Sequence, residues 1–193
     1  MSAFVEHMGK IGGALFKDIL LPNHGYHREE VRVGPGFGVD TAVVDLGNNL
    51  GMAISSDPIS LIPSLGLKES AWLSVHLTAN DMVTTGFAPR YAQFVMNLPA
   101  SLNLDDFKTF WGHIHTCCHD IGVAITGGHT GQVPGQHSTM PGSCTMFLTA
   151  PGDRIVTGNH ARPGNLIVMT GETAISSTAI LAKSFPKTVK EKL

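Results

Sequence analysis

The run TAVVDLGNNLGMAIS, residues 41–55, decides the fold. Two short apolar segments flank Gly47, Asn48 and Asn49, residue types that tolerate the left-handed conformations of a tight turn, so residues 41–46 and 50–55 read as the two strands of a β-hairpin. Residues 30–33 read as a strand before it. Beyond the hairpin, Trp72, Val75, Ala79 and Val83 recur at helical spacing, which predicts a helix over residues 68–86 with those four as a buried stripe. Asp81 lies half a turn around that helix from Trp72 and points away from the stripe. Residues 90–98 predict a strand. Residues 104–121 predict a helix with Asp105 and Asp106 near its positive N-terminal end. Residues 123–126 predict a strand running into Gly127 and Gly128, residues 131–142 a Gly/Pro/Ser/Thr loop, and residues 143–149 a further strand. Toward the N-terminus, residues 11–21 predict a short helix with Leu15, Ile19 and Leu20 as core candidates. Two long helices interleaved with antiparallel-looking strands make an α+β fold whose mixed or antiparallel sheet is covered by helices on one face.

Bulk properties bound the reading. The chain has 193 residues, 42% hydrophobic and 15% charged, enough for one sizeable core and the beginning of a second. A formal net charge of -2 with scattered Lys and Arg leaves no electrostatic footprint for nucleic acid or an anionic membrane. Cys117, Cys118 and Cys144 follow neither zinc-ribbon nor disulfide spacing, which fits a reducing cytoplasm. The opening MSAFVEHMGK has no signal-like pattern, and no apolar run is long enough to span a bilayer, so a soluble cytoplasmic protein is expected. After residues 162–164, a strand at residues 166–169, a turn at Gly171 and a helix over residues 174–183 form a fresh unit too small to bury its own apolar side. That unit is expected to dock.

Asp40 precedes a strand, Asp57 follows one, and Asp81 sits on a helix. Each alone reads as a cap or turn residue; together they are hard oxygen ligands suited to Mg²⁺ on a polyphosphate. Thr126, Gly127, Gly128, His129 and Thr130 follow an apolar strand, where two glycines let backbone N–H groups approach an anion. The motif is neither a Walker A loop nor a dinucleotide fingerprint, and by itself an ordinary tight turn explains it. Lys10, within Met8 to Gly13, is a cation able to reach a phosphate. His113, His115 and His119 with Cys117 and Cys118 crowd one helix; His115 and His119 have ligand spacing, but no third ligand is evident.

In order, GKIGG, VGPGFGVDTAVVDLG, ISSDPIS, WLSVHLTANDMVTTGFAP, GVAITGGHTGQVPG and ARPGNLIVMTGETAISSTAIL resemble a known superfamily. It contains aminoimidazole ribonucleotide synthetase, selenophosphate synthetase, thiamine-phosphate kinase and the HypE hydrogenase-maturation factor, and the HypE branch is the nearest. The resemblance implies a PurM-like N-terminal domain over residues 1–160 that dimerises through its sheet into a barrel. Residues 161–193 would be the incomplete start of a second α+β domain. It further implies ATP and Mg²⁺ as cofactors. Asp40 and Asp81 would hold Mg²⁺, Asp57 would contact nucleotide or metal, Gly127, Gly128, His129 and Thr130 would line the ATP site, and Lys10 would close over phosphate.

The sequence also departs from the family. Val39 stands where many relatives carry a second acid, and His129 where many carry an acid, although a histidine there resembles the selenophosphate branch. The reactive N-terminal cysteine of that branch has no counterpart, and the chain ends in Glu191, Lys192 and Leu193 where a HypE protein ends in cysteine. The implied function is ATP-dependent phosphoryl-transfer activation of an amide or carboxamide-type oxygen on an unidentified acceptor. The alternative is a non-catalytic dimeric nucleotide-binding or interaction module without the second domain.

Overall fold

The computed structural model describes residues 9–169, residue 171 and residues 173–192; residues 1–8, Met8 of the Gly-rich stretch among them, lie outside the described residues. Six strands form one sheet, β1 (Val31–Val33), β2 (Ala42–Asp45), β3 (Leu50–Pro58), β4 (Tyr91–Pro99), β5 (Ala124–Val133) and β6 (Gly142–Pro151), in the order β1-β2-β3-β6-β4-β5. The β2–β3 hairpin forms as read. Gly47, Asn48 and Asn49 all have positive φ, and Leu50 N donates to the Gly47 carbonyl at 2.9 Å. Every neighbouring pair is antiparallel except β4 and β5, which run parallel. A parallel pair needs a crossover, and helix α3 (Leu104–Asp120) supplies it. Asn103 caps α3, its side-chain oxygen accepting from Asp106 N at 2.8 Å.

Alternation along the strands separates two faces. In β4, Ala92, Phe94, Met96 and Leu98 are buried, while Tyr91 and Val95 stand out of the opposite face. The buried set packs on α2 (Leu67–Val83) and α3 through Ala71, Val75, Met82, Phe110 and Ile114. The opposite face carries Met52, Ile54, Val95 and the Tyr91–Phe147 ring pair, with centroids 5.3 Å apart, and among the described residues no element packs over it. The fold is therefore a mixed sheet with helices on one side, as expected.

Helix α2 is rotated from the expected stripe. Val75 and Ala79 are buried, but Trp72 is 46% and Val83 51% exposed. The inner face runs through Ser70, Ala71, Ser74, Val75, Thr78 and Met82. Small and hydroxylated residues replace the large ones because the helix lies close to the chain: Ser74 Oγ donates to the Ser60 carbonyl at 3.1 Å, and Ser60 N donates back to Ser74 Oγ at 2.8 Å. Trp72 instead stacks on His76 at the surface, 4.2 Å between centroids. Because Trp72 faces out, Asp81, half a turn away, faces the sheet rim.

Other expectations need correction. Residues 166–169 form no strand; Leu166, Ile167 and Val168 are almost wholly exposed, for want of a partner strand. The N-terminal helix is only α1 (Gly13–Leu15), continuing as a π turn over Phe16–Leu20, and Ile19 and Leu20 are exposed. Leu15 is half-buried. The expected tail helix forms as α4 (Ile175–Ser184), followed by α5 (Pro186–Lys192). Helix α4 rests beside α2 through the Lys183–Glu69 ion pair and a 3.3 Å contact between the Ser184 and Ser64 hydroxyls. Among the described residues no helix is long and apolar enough to cross a membrane.

Candidate functional site

Asp57 and Asp81 come together, with Asp40 near them, at the rim where β2, β3 and the end of α2 approach one another. Ser55 and Asp57, two apart on β3, share a face, so the strand itself aligns them. Ser55 Oγ lies 2.7 Å from the Asp40 carbonyl oxygen and 3.1 Å from Asp81 Oδ2, donating to either. Thr41 and Thr84 both donate hydroxyl hydrogens to the Asp81 carbonyl, at 3.1 and 2.6 Å. Asp81 is half-buried in the last turn of α2, where the helix dipole disfavours an anion. Burial, the Asp57 charge and a hydrogen bond with Asp57, and then the Asp40 charge push its carboxyl up to about 6, against the Ser55 hydrogen bond. Asp81 therefore keeps its proton in mildly acidic solution. The sequence reading missed Ser55, Thr41 and Thr84; period 2 back from Asp57 was the available signal for Ser55.

An all-oxygen set suits a hard divalent cation, which would offset both the burial and the neighbouring negative charges that raise the Asp81 carboxyl. The set is not closed. Among the described residues no three His, Cys, Asp or Glu side chains are gathered tightly enough to hold a metal ion. Asp57 and Asp81 touch, whereas Asp40 acts on Asp81 through its charge.

The glycine motif lies elsewhere. Expected as a turn after a short strand, it is instead the middle of β5, which continues to Val133. Ala92 pairs with Ile125 and Gln93 with Gly127, so Thr126 is an extra, bulged residue, its hydroxyl donating to the Ala92 carbonyl at 3.1 Å. Gly128 opposes Phe94, and any Cβ on it would fall inside the Phe94 backbone. Its glycine is required by packing. Gly127 has open space on its Cβ side. His129 pairs with Val95, which places it on the bare face, and Thr130 pairs with the inward-facing Met96. Asp57 pairs with the buried Cys144 and so shares the helix-covered face. Strands β6 and β4 separate β3 from β5, about 14 Å at a typical strand spacing. One chain thus keeps His129 and the aspartates on opposite faces.

Lys10 is exposed near the start of the described chain, and the segment after it leans on Phe37 through Phe16, ring centroids 6.2 Å apart. The α3 histidines do not join the cysteines. His115 and His119 rings are 6.2 Å apart on the exposed side, while Cys118 is buried in the core with its thiol pushed up to about 12 by burial.

A one-sided mixed sheet with an aspartate rim at the end of its covering helix defines a PurM-like domain. The chain belongs to the AIR synthase related protein family, whose N-terminal domain matches residues 38–152. Carbamoyl dehydratase HypE of Cupriavidus necator is 30% identical over 112 residues, covering 58% of this chain and 32% of that protein. The chain thus spans about a third of the length of this curated relative. Among solved structures, the HypE–HypF complex matches at TM-score 0.51 with 20% identity, over 71% of this chain and 42% of that one. Thermotoga maritima PurL complexed with ATP matches at TM-score 0.53 with 12% identity, over 65% and 22%. These likenesses show the fold.

Proposed function

We propose that this chain carries the ATP- and Mg²⁺-binding half of an enzyme that activates an amide or carboxamide-type oxygen by phosphoryl transfer. The carrying observation is the Asp57–Asp81 contact beside Asp40, three acids collected on a helix end and strand end with Asp81 pushed up to about 6. The relative HypE is a carbamoyl dehydratase and the PurL structure is complexed with ATP, and both support the reading.

In this reading Asp40, Asp57 and Asp81 hold Mg²⁺, which would neutralise charge developing on the transferred phosphoryl group. Ser55 orients the Asp81 carboxylate. Above pH 6 Asp81 has lost its proton and can bind a cation; below it the proton competes. Gly127, Gly128 and Thr130 contact the phosphates and Lys10 closes over them. Gly128 and Thr130 share the helix-covered face with Asp57, whereas His129 lies on the other face, so within one chain a nucleotide held by the aspartates reaches toward Gly128 and Thr130 and not His129. A homodimer joined through the bare face, with Tyr91, Val95 and Phe147 at its centre, covers apolar side chains that otherwise face water.

Calorimetric titration with ATP, with and without Mg²⁺, tests the site. Mg²⁺ is expected to strengthen ATP binding at least tenfold, and Asp57→Asn to remove that gain. Equal Mg²⁺ dependence in the variant would sink the metal assignment. ATP binding without ADP release on any acceptor would favour a nucleotide-binding module. Light scattering should give twice the chain mass, falling to one chain in Tyr91→Glu; a monomeric wild type would refute the dimer.

A further inference from the structure

His115 and His119 lie one turn apart on the outer side of α3, both exposed, with ring centroids 6.2 Å apart and planes 47° from parallel. Residues four apart on a helix have Cβ atoms about 5–6 Å apart, a separation from which two imidazoles reach one ion with metal–nitrogen bonds of about 2.0–2.1 Å. The helix holds the backbone of both, so closing the rings on a cation asks only for rotation of two exposed side chains. One turn earlier on the same side stands Gly112, whose Cβ position opens on empty space. That position adds no side chain over the pair.

The local charge favours a cation. His119 is in the last turn of α3, at the negative end of the helix dipole. Asp120 Oδ1 lies 3.6 Å from His119 Nδ1. A carboxylate beside that nitrogen keeps the ring proton on Nδ1 and leaves the Nε2 lone pair for a metal, as outer carboxylates do for ligating histidines. Sulfur does not join the pair. Cys117 is half-buried, its thiol pushed up by burial and then by the Asp120 charge, against the pull of Lys68, and Cys118 is in the core. Among the described residues no third His, Cys, Asp or Glu closes the set, so an ion there keeps water in its other positions. Two imidazole nitrogens with water prefer the borderline ions late in the first transition row over a hard ion such as Mg²⁺.

We infer that His115 and His119 form a surface site for a late first-row divalent cation such as Zn²⁺ or Cu²⁺, separate from the aspartate rim. Helix α3 packs on the sheet through Phe110, Ile114 and Cys118, so the pair stands on the side turned away from it, whereas the aspartates lie at the end of α2. An ion held there clips the last turn of α3 and stabilises the folded chain, since only the formed helix keeps both rings at chelating spacing. The site does not depend on the nucleotide reading.

Calorimetric titration of the full chain with ZnCl₂, in excess Mg²⁺ to occupy the rim, is expected to show one Zn²⁺ per chain. His115→Ala and His119→Ala should each weaken that binding by about tenfold or more, because the second imidazole of a chelating pair acts at high effective concentration. The double variant His119→Ala with Asp120→His keeps two histidines but sets them on different sides of the helix, and should bind no better than the single variants. Zn²⁺ should raise the melting temperature of the wild type and not of the variants. With CuCl₂, the electron paramagnetic resonance spectrum of the wild type should show coupling to two imidazole nitrogens. That spectrum needs no variant, so it tests the pair even where a variant folds poorly. Zn²⁺ affinity within about threefold of wild type in either single variant or in the shifted pair overturns the site, as does a wild-type copper spectrum with one nitrogen or none.

Discussion

The aspartate rim and the glycine-bearing strand β5 were read from the sequence as parts of one phosphate site, yet the structure builds them in opposite ways. The rim joins residues 40, 41, 55, 81 and 84, drawn from the approach to β2, from β3 and from the end of α2, through hydrogen bonds at 2.6 to 3.1 Å, and sets Asp57 beside Asp81 so that the carboxyl charges conflict. Strand β5 is one contiguous segment whose peculiarity is steric: Gly128 lets the backbone of Phe94 approach closely, as Gly142 does for Val95. The difference separates two meanings of an unusual residue. Collected like charges store repulsion that a ligand can release, whereas a packing glycine removes a clash whether or not a ligand comes.

Substitutions can break this contrast, and the largest effect belongs to the glycines. Gly128→Ala should lose at least about 3 kcal/mol, because backbone would have to move to admit the methyl group. Gly127→Ala, with open space at its Cβ but φ of 149°, should lose only about 1 kcal/mol. Urea unfolding of the two variants measures the difference, and similar losses would show that Gly128 is not a packing glycine.

The rim should behave in the reverse sense. Asp81 titrates from an ordinary value of 3.8 to about 6 on folding, so the native state binds the extra proton and stability falls as pH rises between those values. Above about pH 6 the loss is complete. Allowing for solvent screening at this half-buried group, the change is on the order of 1–2 kcal/mol. Asp81→Asn should accordingly be more stable than wild type by that amount at pH 7.5, with a flatter profile between pH 4 and 6, while losing Mg²⁺-dependent nucleotide binding. A less stable variant would mean that the carboxylate is structurally needed and the repulsion argument is wrong.

The smallest effect is expected where α4 meets α2. The Lys183–Glu69 pair is 54% and 32% exposed at its side chains, so Lys183→Ala should change stability by less than about 0.5 kcal/mol in thermal unfolding. A larger loss would make the tail an integral part of the domain instead of a lightly held appendage.

Local chemistry made much of the fold legible. Gly47, Asn48 and Asn49 announced the hairpin because left-handed turns select those residues, and residues 90–98 were legible as a strand, which forms as β4. The rotation of α2 was not legible. Its inner face is made of Ser70, Ala71, Ser74 and Thr78, which no hydrophobicity count selects, and they are favoured there only because the helix sits close to residues 60 and 62. The parallel pairing of β4 and β5 was equally hidden, since apolar strands look alike until the order of the sheet is known.

The same division holds for the candidate site. Sequence alone determined which residue types were available, an aspartate at each of three element ends and a glycine pair after an apolar strand, because these follow from local conformation and composition. Only the tertiary structure decided that Asp57 lies against Asp81, that His129 faces the other side of the sheet, and that the Thr157 hydroxyl is buried with no partner among the described residues. Burial and charge proximity are properties of segments far apart in the chain; they exist only once the sheet order and the rotation of α2 have placed those segments side by side.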